Sequence, residues 1–293
     1  MIRACSKDEF VKHVDFFYAL ALDLTKSGYP TYCDRIHTKE DFLARRLKAF
    51  ERETEEVLFF ESDGIVQGLV HFFWLPEDRY LQLLCFLTNV ATDQALTEFL
   101  DDIRQRFHGY DVYFGFPGEN VSAVEYLKEH GFECIEDDFN NTALLDRLIL
   151  APDQNGMTRI GKENYASFET LHRQIDGDMY WNSERILADL DKWAIFVKEK
   201  DGEAQGAVYY KKDGIIDGYF EIVGVDLNGR GHQPELVEAL LNAALFDAKC
   251  RGGRYMTFFC EKEYEETAKK CGFLCIGNYL CFKTRLDGSF SVF

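Results

Sequence analysis

Runs of alternating or continuous apolar residues, which predict strands, are separated along this chain by longer stretches with the helical spacing of about 3.6 residues. In the first half, this spacing predicts helices over 7–25 and 38–54, followed by a strand hairpin that turns at Asp63-Gly64. The remaining elements alternate: strand 80–90, helix 93–108, strand 111–116, helix 120–130 and a last strand from 132 into 145. Strands that alternate with helices indicate an α/β fold.

The second half of the chain predicts the same order of elements. Helices over 163–175 and 183–190 precede a hairpin that turns at Asp201-Gly202, and a central strand covers 218–225. The rest of this half is predicted as helix 235–251, strand 254–260, helix 264–271 and a last strand over 279–284.

Two short sequence repeats support a duplication. Asp63-Gly64-Ile65-Val66-Gln67-Gly68 returns 138 residues later as Asp201-Gly202-Glu203-Ala204-Gln205-Gly206, and Gly131-Phe132 returns 141 residues later as Gly272-Phe273. Two pairs in the same order at nearly the same offset indicate two copies of one domain of ordinary size. We expect an N-terminal domain at 1–150 and a C-terminal domain at 157–293, joined by a linker rich in turn formers.

Composition indicates a globular cytoplasmic protein. Hydrophobic residues make up 46% of the 293 residues, yet no apolar run is long enough to cross a bilayer, and the N-terminus has no signal-peptide apolar core. The nine cysteines show no zinc-ligand spacing, and the seven histidines form no i, i+4 pair, so no metal site is predicted. We interpret the cysteines as small buried residues in a reducing compartment.

The chain is strongly acidic, with a formal net charge of −18. This charge disfavours nucleic acid and anionic membranes as partners, because polyanions are repelled. It is compatible with an amine substrate, and equally with a charge that only maintains solubility.

Three segments carry a resemblance to the GNAT N-acetyltransferase superfamily. The Asp-Gly hairpins are followed by Gln-Gly in both halves; Val225-Asp226-Leu227-Asn228-Gly229-Arg230-Gly231 resembles the entry to the family's cofactor-binding helix; and Asn120-Val121-Ser122-Ala123 with Gly131-Phe132 resembles a third family pattern. The resemblance covers essentially the whole chain. It implies two tandem GNAT-like domains, each a mixed central β-sheet flanked by helices.

The resemblance implies that acetyl-CoA is the cosubstrate and binds in the second half. Val223 and Val225 would offer main-chain groups to the pantetheine arm, and the pyrophosphate would bind at Arg230, Gly231, His232 and Gln233. A helix N-terminus, close backbone approach at glycine and a guanidinium all favour an anion. Gln233 and Glu235 depart from the small residues of the family pattern. In the first half, Asn89–Leu96 has neither glycine nor arginine, and Thr92 or Asp93 is predicted as a helix N-cap.

Acyl transfer to an amine needs a base, and the thiolate that leaves needs an acid. The resemblance implies Glu221 as the base, although a glutamate on the exposed side of a half-buried strand has the same pattern. The family's tyrosine acid is replaced by Leu127 and Ala268 in the two halves. Tyr264, one helical turn before Ala268, is a possible substitute, and Tyr279 is a weaker one. Aromatic packing explains both tyrosines equally well.

Asp176-Gly177-Asp178-Met179-Tyr180-Trp181-Asn182-Ser183 lies where the family shapes its acceptor pocket. Its aromatic and acidic residues could hold an amine by charge and cation–π contact, or the segment could be a connecting loop with Ser183 as an N-cap. The leading hypothesis is an N-acetyltransferase for a small amine, active mainly in the second half. The alternative is a catalytically degenerate tandem module that binds a ligand or partner. Acceptor, acyl chain and oligomeric state stay open.

Overall fold

The structure is a computed structural model that describes residues 1–29, 31–150, 156–229 and 233–287. It divides into two compact units, Met1–Asp138 with Gly277–Phe293 (unit 1) and Phe139–Ile276 (unit 2). Among the described residues, no helix combines the length and the apolar composition needed to cross a membrane.

Unit 1 contains the helices and strands predicted over residues 7–130, with differences at the first helix and at one two-residue strand. Its elements, in chain order, are β1 Ile2–Ala4, α1 Lys7–Lys12, α2 Val14–Ala21, β2 Ser27–Gly28, α3 Lys39–Ala49, β3 Glu55–Ser62, β4 Ile65–Leu75, β5 Tyr80–Thr88, α4 Thr92–Arg106, β6 Asp111–Phe116 and α5 Val121–Glu129. The predicted helix 7–25 is broken at His13 into α1 and α2, and the two-residue strand β2 is not predicted.

Unit 2 repeats the order. The strand β7 Glu133–Leu144 leads into it, followed by β8 Met157–Arg159, α6 Tyr165–His172, α7 Ser183–Ala188, β9 Trp193–Lys200, β10 Glu203–Lys212, β11 Tyr219–Leu227, α8 Pro234–Cys250, β12 Tyr255–Cys260 and α9 Glu265–Lys270. The last strand, β13 Leu274–Arg285, begins in unit 2 and continues into unit 1. Short 3-10 helices occur at 145–147, 162–164, 176–178, 190–192 and 262–264.

The two units have the same sheet topology. In unit 1 the strand order is β1-β3-β4-β5-β6-β13, and in unit 2 it is β8-β9-β10-β11-β12-β7. All of these neighbours are antiparallel except β5 with β6 and β11 with β12, which are parallel. This topology confirms the predicted α/β fold with two tandem units, each a mixed sheet flanked by helices.

The strand that closes each sheet comes from the other sequence repeat. Residues 280–285 of β13 pair with β6 in unit 1, and residues 139–144 of β7 pair with β12 in unit 2. The compact units are therefore not the sequence repeats themselves. The boundaries at 1–150 and 157–293 stay a prediction about the duplicated sequence, and residues 151–155 of the predicted linker lie outside the described residues.

Each sheet has a hydrophobic cluster on both faces. In unit 1, Phe99 and Phe114 lie in the cluster under α4 and α5, and Phe17 and Phe59 lie in the cluster under α1 to α3. In unit 2, one cluster packs under α8 and α9, and the other, which includes Tyr209, packs under α6 and α7. We call these two surfaces the α8/α9 face and the α6/α7 face.

The N-caps of α4 and α7 lie one or two residues before the positions that the sequence suggested. Ala91, not Thr92 or Asp93, precedes α4, and its side chain makes no capping bond. Asn182, not Ser183, caps α7; Ser183 is the first helical residue, and its hydroxyl donates to Asp176 at 2.6 Å. At α7 two polar residues that favour N-caps are adjacent, so composition alone does not select one of them, and at α4 the N-cap is an alanine, which composition does not indicate.

Candidate functional site

The central feature of unit 2 is a β-bulge in β11. In the register with β10, Tyr209 is opposite Gly224 and Tyr210 is opposite Ile222, so Val223 is an extra residue without a partner. A bulge bends its strand and interrupts the ladder locally, and such bulges are common beside functional sites. Here it marks the point where β11 leaves its other neighbour, β12.

A cleft opens between β11 and β12 beyond this bulge. The two parallel strands pair only from Tyr219 with Tyr255 to Ile222 with Phe258, although β11 continues to Leu227 and β12 to Cys260. Among the described residues, no strand pairs with this edge of β11 after Ile222. Its main-chain groups are therefore directed at a ligand or at solvent.

Two of the predicted cofactor residues lie on this edge. Val223 is half-buried and packs against the α6/α7 face, whereas Val225 packs against the α8/α9 face. Residues two positions apart in a regular strand face the same side of the sheet. Val223 and Val225 face opposite sides because Val223 is the extra residue of the bulge. The main chain between them is the segment that the family resemblance assigns to the pantetheine arm.

The predicted pyrophosphate residues are only partly described. Arg230, Gly231 and His232 lie outside the described residues. Gln233 is the N-cap residue of α8; its side chain makes no capping bond and donates instead to the carbonyl of Asn228 at 3.4 Å. Pro234 occupies the first helical turn and Glu235 is exposed there. Gln233 thus gives the first-turn N–H groups of this 17-residue helix no side-chain cap.

Glu221, the predicted base, lies on the α6/α7 face one step before the cleft. It is opposite Lys211 in the β10–β11 register, and its Oε2 is 3.6 Å from the Lys211 ammonium. That ammonium lies over the Trp181 ring, 4.8 Å from the ring centroid. The half-buried carboxylate therefore faces a cation and an aromatic ring rather than open solvent alone.

Tyr264, the predicted substitute acid, ends the 3-10 helix before α9 and packs against the α8/α9 face. Burial, together with the neighbouring Glu263, raises its pKa to about 12, and Asp226 is among the charges that add to this rise. The phenol keeps its proton at neutral pH. Tyr279 belongs to unit 1, where its ring packs edge to face against Tyr29.

Sequence patterns did not reveal three buried polar residues behind the bulge. His172 of α6 is fully buried, with Nδ1 2.8 Å from Asp226 Oδ2 and Nε2 2.9 Å from the carbonyl oxygen of Trp181. Tyr209 is also fully buried; its hydroxyl lies against Gly224 and has no hydrogen-bond partner among the described residues. Burial, with the nearby Asp226 charge, raises the pKa of Tyr209 well above its ordinary value, yet no hydrogen bond of ordinary geometry joins the two.

The equivalent cleft in unit 1 begins in the same way. The register of β4 with β5 leaves Leu84 as an extra residue, since His71 is opposite Cys85 and Phe72 is opposite Leu83. The parallel pairing of β5 with β6 covers only Tyr80 to Gln82. Both units therefore separate their two central parallel strands at a bulge.

In unit 1, however, β2 fills this cleft. Ser27 and Gly28 pair with Leu87 and Phe86 of β5, the Thr88 amide donates to the carbonyl of Lys26 at 3.2 Å, and the Tyr29 amide donates to the carbonyl of Gly115 in β6 at 2.8 Å. A Cβ atom on Gly28 would lie 2.8 Å from the Phe116 ring. The backbone of β2 therefore pairs with the edge of β5 that corresponds to the unpaired edge of β11.

The groove at the start of α4 in unit 1 has the wrong charge for a phosphate. It has a volume of about 700 Å³ and runs between α4 and α5. Its lining includes the carboxylates of Asp93, Glu98, Glu125 and Glu129 and the ring of Tyr126. Carboxylates repel a pyrophosphate, so this groove lacks the charge that the corresponding family site uses.

No protein-family model matches the chain, and the search of curated proteins found no relative. Solved structures do match. A GCN5-related N-acetyltransferase from Sphaerobacter thermophilus has a TM-score of 0.64 at 16% identity, over 100% of this chain and 97% of its own. A tandem GNAT protein from the clavulanic acid biosynthesis pathway has a TM-score of 0.53 at 12% identity, over 99% of each chain.

A third structure matches through one region of a larger protein. The glucosamine N-acetyltransferase region of a fungal multi-domain GH3 β-N-acetylglucosaminidase has a TM-score of 0.60 at 12% identity, over 97% of this chain and 38% of that one. At such identities the likeness establishes the fold. Together with the matching topology of the two units, it confirms the sequence prediction: this chain has the tandem GNAT fold.

Proposed function

We propose that this protein is an acetyl-CoA-dependent N-acetyltransferase whose cosubstrate binds in unit 2 and whose acceptor is a small amine. The observation that carries the proposal is the contrast between the two clefts. In unit 2 the edge of β11 beyond Ile222 has no paired strand among the described residues, whereas in unit 1 the same edge of β5 pairs with Ser27 and Gly28.

The residues of unit 2 fit the cosubstrate, which supplies an activated acetyl group as a thioester. An extended amide-bearing arm can pair with the free main-chain groups at Val223 and Val225 as an additional strand would. The first turn of α8, which the Gln233 side chain does not cap, offers N–H groups and a positive dipole end to the phosphates. Arg230, which the sequence places just before this helix, would add charge-assisted bonds.

The acceptor chemistry is assigned to the α6/α7 face. A protonated amine must lose a proton before it can attack, and Glu221 is a half-buried carboxylate on the strand that forms the cleft. Lys211 lies 3.6 Å from this carboxylate and has to move for an amine to approach it. Tyr264 retains its proton at neutral pH and can donate a hydrogen bond, which supports its assignment as the group beside the leaving thiolate.

Unit 1 is proposed to be a structural copy. Its cleft is filled by β2, and its phosphate groove is lined by four carboxylates. The alternative hypothesis, a tandem module without catalysis, therefore applies to unit 1 rather than to the whole chain.

Acetyl-CoA binding tests both parts of the proposal. Calorimetric titration of the full chain is expected to give one site per chain. Hydrogen exchange with and without acetyl-CoA is expected to show protection at 223–227 and 233–237, with the equivalent segments 84–88 and 92–96 as the internal control. Protection in the first half would contradict the assignment to unit 2, and the absence of any binding would contradict the proposed function.

A further inference from the structure

Lys211 lies inside a small cage made of two indole rings and a carboxylate. Its Nζ is 4.8 Å from the ring centroid of Trp181, 5.8 Å from that of Trp193 and 3.6 Å from Glu221 Oε2. The two indoles meet edge to face, with centroids 5.1 Å apart and planes at 74°. Two aromatic rings and one negative charge around a cation form a recognised way to bind ammonium groups. We call Trp181, Trp193 and Glu221 the ammonium cage.

Backbone register fixes two walls of the cage and the position of its occupant. Trp193 of β9, Lys211 of β10 and Glu221 of β11 lie opposite one another on three adjacent strands. Their side chains project to the same face of the sheet. The cage is thus built on rigid strands rather than on loop residues alone.

The remaining wall, Trp181, belongs to the loop before α7 but is anchored. Its carbonyl oxygen accepts a hydrogen bond from His172 Nε2 at 2.9 Å, and His172 Nδ1 is 2.8 Å from Asp226 of β11. This connection ties the loop to the strand that lines the cleft.

The occupant of the cage can exchange with solvent. The side chains of Lys211 and Glu221 are 29% and 26% exposed, whereas Trp193 is buried. A lysine tethered by a flexible four-carbon chain can withdraw and leave the aromatic walls in place.

Unit 1 has no such cage at the equivalent register. There Phe73 of β4 is opposite Gln82 of β5 and Glu55 of β3. Phe73 therefore takes the position of Lys211, and the neutral Gln82 takes the position of Glu221. The cage is a property of the unit whose cleft is open, and not a general consequence of the duplicated fold.

We propose that the ammonium cage binds the primary alkylammonium group of the acceptor, and that Lys211 occupies it as a built-in stand-in when no acceptor is present. The proposal deepens the proposed function, on which its catalytic use rests, because an ammonium in this cage lies beside the predicted base. Binding of an alkylammonium ion to the cage does not depend on acetyl-CoA.

The test is titration of the full chain with n-butylammonium chloride in the absence of acetyl-CoA. Binding is measured by calorimetry and by tryptophan fluorescence. Lys211→Met and Lys211→Gln remove the internal cation, and each is expected to bind n-butylammonium about tenfold more tightly than the unsubstituted protein. Trp181→Ala added to Lys211→Met is expected to abolish that gain. n-Butanol, which has the same chain and no charge, is expected not to bind.

Lys212→Met is the matched control, because Lys212 is the next residue and pairs with the exposed Asp217 at 3.0 Å. It is expected to behave like the unsubstituted protein. If neither Lys211 variant gains affinity over Lys212→Met, or if n-butanol binds as well as n-butylammonium, the contact is an ordinary surface ion pair and the proposal is wrong. Because acetyl-CoA is left out, this result is independent of whether the protein transfers an acetyl group.

Discussion

His172 and Asp226 form a buried pair in which the imidazole Nδ1 lies 2.8 Å from a carboxylate oxygen. The other ring nitrogen lies 2.9 Å from the Trp181 carbonyl. An ionised carboxylate and a carbonyl only accept hydrogen bonds, so this geometry favours a ring that donates from both nitrogens and carries a positive charge. Burial opposes that charge, but the hydrogen bond and charge of Asp226, with smaller contributions from the Trp181 carbonyl and Asp176, raise the pKa of His172 above its ordinary value.

The first prediction follows from the sign of this shift. A histidine whose pKa is raised on folding stabilises the folded state below its unfolded pKa of about 6.5, and this contribution is lost as pH rises through the folded-state pKa. The thermal midpoint of the unsubstituted protein should therefore fall over this window by more than that of His172→Gln. Thermal unfolding at pH 5.5 and pH 8.0 measures the difference. Parallel pH profiles for the two proteins would show that the buried ring is neutral.

The second prediction compares two adjacent tyrosines of β10. In the part of the chain that the structure describes, the buried Tyr209 hydroxyl has no hydrogen-bond partner, whereas the Tyr210 hydroxyl donates to Asp247. Removing an unsatisfied hydroxyl costs nothing in hydrogen bonding, so Tyr209→Phe should keep or raise the free energy of unfolding by about 1 kcal/mol. Tyr210→Phe should lower it by about 1–3 kcal/mol. Urea unfolding measures both, and a larger loss for Tyr209→Phe would reveal a partner for its hydroxyl.

The local elements of the fold were largely predictable because their signals are local. Asp63-Gly64 and Asp201-Gly202 have φ angles of 53° and 75°, and of 54° and 82°, as this hairpin turn requires. Thr38 caps α3 in a capping box with Asp41. In such cases a short stretch of sequence contains all the interacting groups.

The parts that sequence reasoning missed depend on distant partners. Ser27 and Gly28 lie outside the elements predicted from the sequence, and only their pairing with Phe86 and Leu87 makes them a strand. His172 and Asp226 are 54 residues apart, and no spacing connects them. The sequence repeat likewise does not predict that β13 pairs with β6. The two copies have equivalent last strands, so the sequence assigns each of them equally well to either sheet.

The third prediction tests how closely β2 packs in the cleft of unit 1. A Cβ atom on Gly28 would lie 2.8 Å from the Phe116 ring and 3.1 Å from both the Gly115 carbonyl and Phe86. Gly28→Ala should therefore lower the free energy of unfolding by about 1–3 kcal/mol. Gly214→Ala is the control, since nothing lies within 4 Å of its Cβ position, and its effect should stay within about 0.5 kcal/mol. Equal effects in urea unfolding would mean that the cleft adapts without strain.

The fourth prediction concerns the cosubstrate. Arg230→Ala removes a guanidinium from the segment that precedes α8, and a lost charge-assisted bond costs about 1.5–3 kcal/mol. Acetyl-CoA affinity should fall about tenfold to a hundredfold, as measured by calorimetry. Arg254→Ala serves as a control, because Arg254 precedes β12 at the other end of the parallel strands and bonds to the carbonyl of Asp217. Unchanged affinity of Arg230→Ala would show that its match to the family pattern is accidental.

The last prediction concerns the two predicted catalytic side chains. Glu221→Gln keeps the size of the side chain and removes its basicity, so the rate of acetyl transfer to an amine should fall by about 10²–10⁴-fold. The kcat should fall, and this loss should shrink as pH rises, because an amine that is already neutral needs no base. The KM for the amine should rise as well, because Glu221 is also the negative wall of the ammonium cage. Tyr264→Phe removes only the hydroxyl and should also lower kcat, with acetyl-CoA affinity retained. Acetyl-CoA binding to both variants is the control for folding. If an accepted amine is found and both variants keep full activity, neither side chain takes part in the reaction, and the proton must leave by another route.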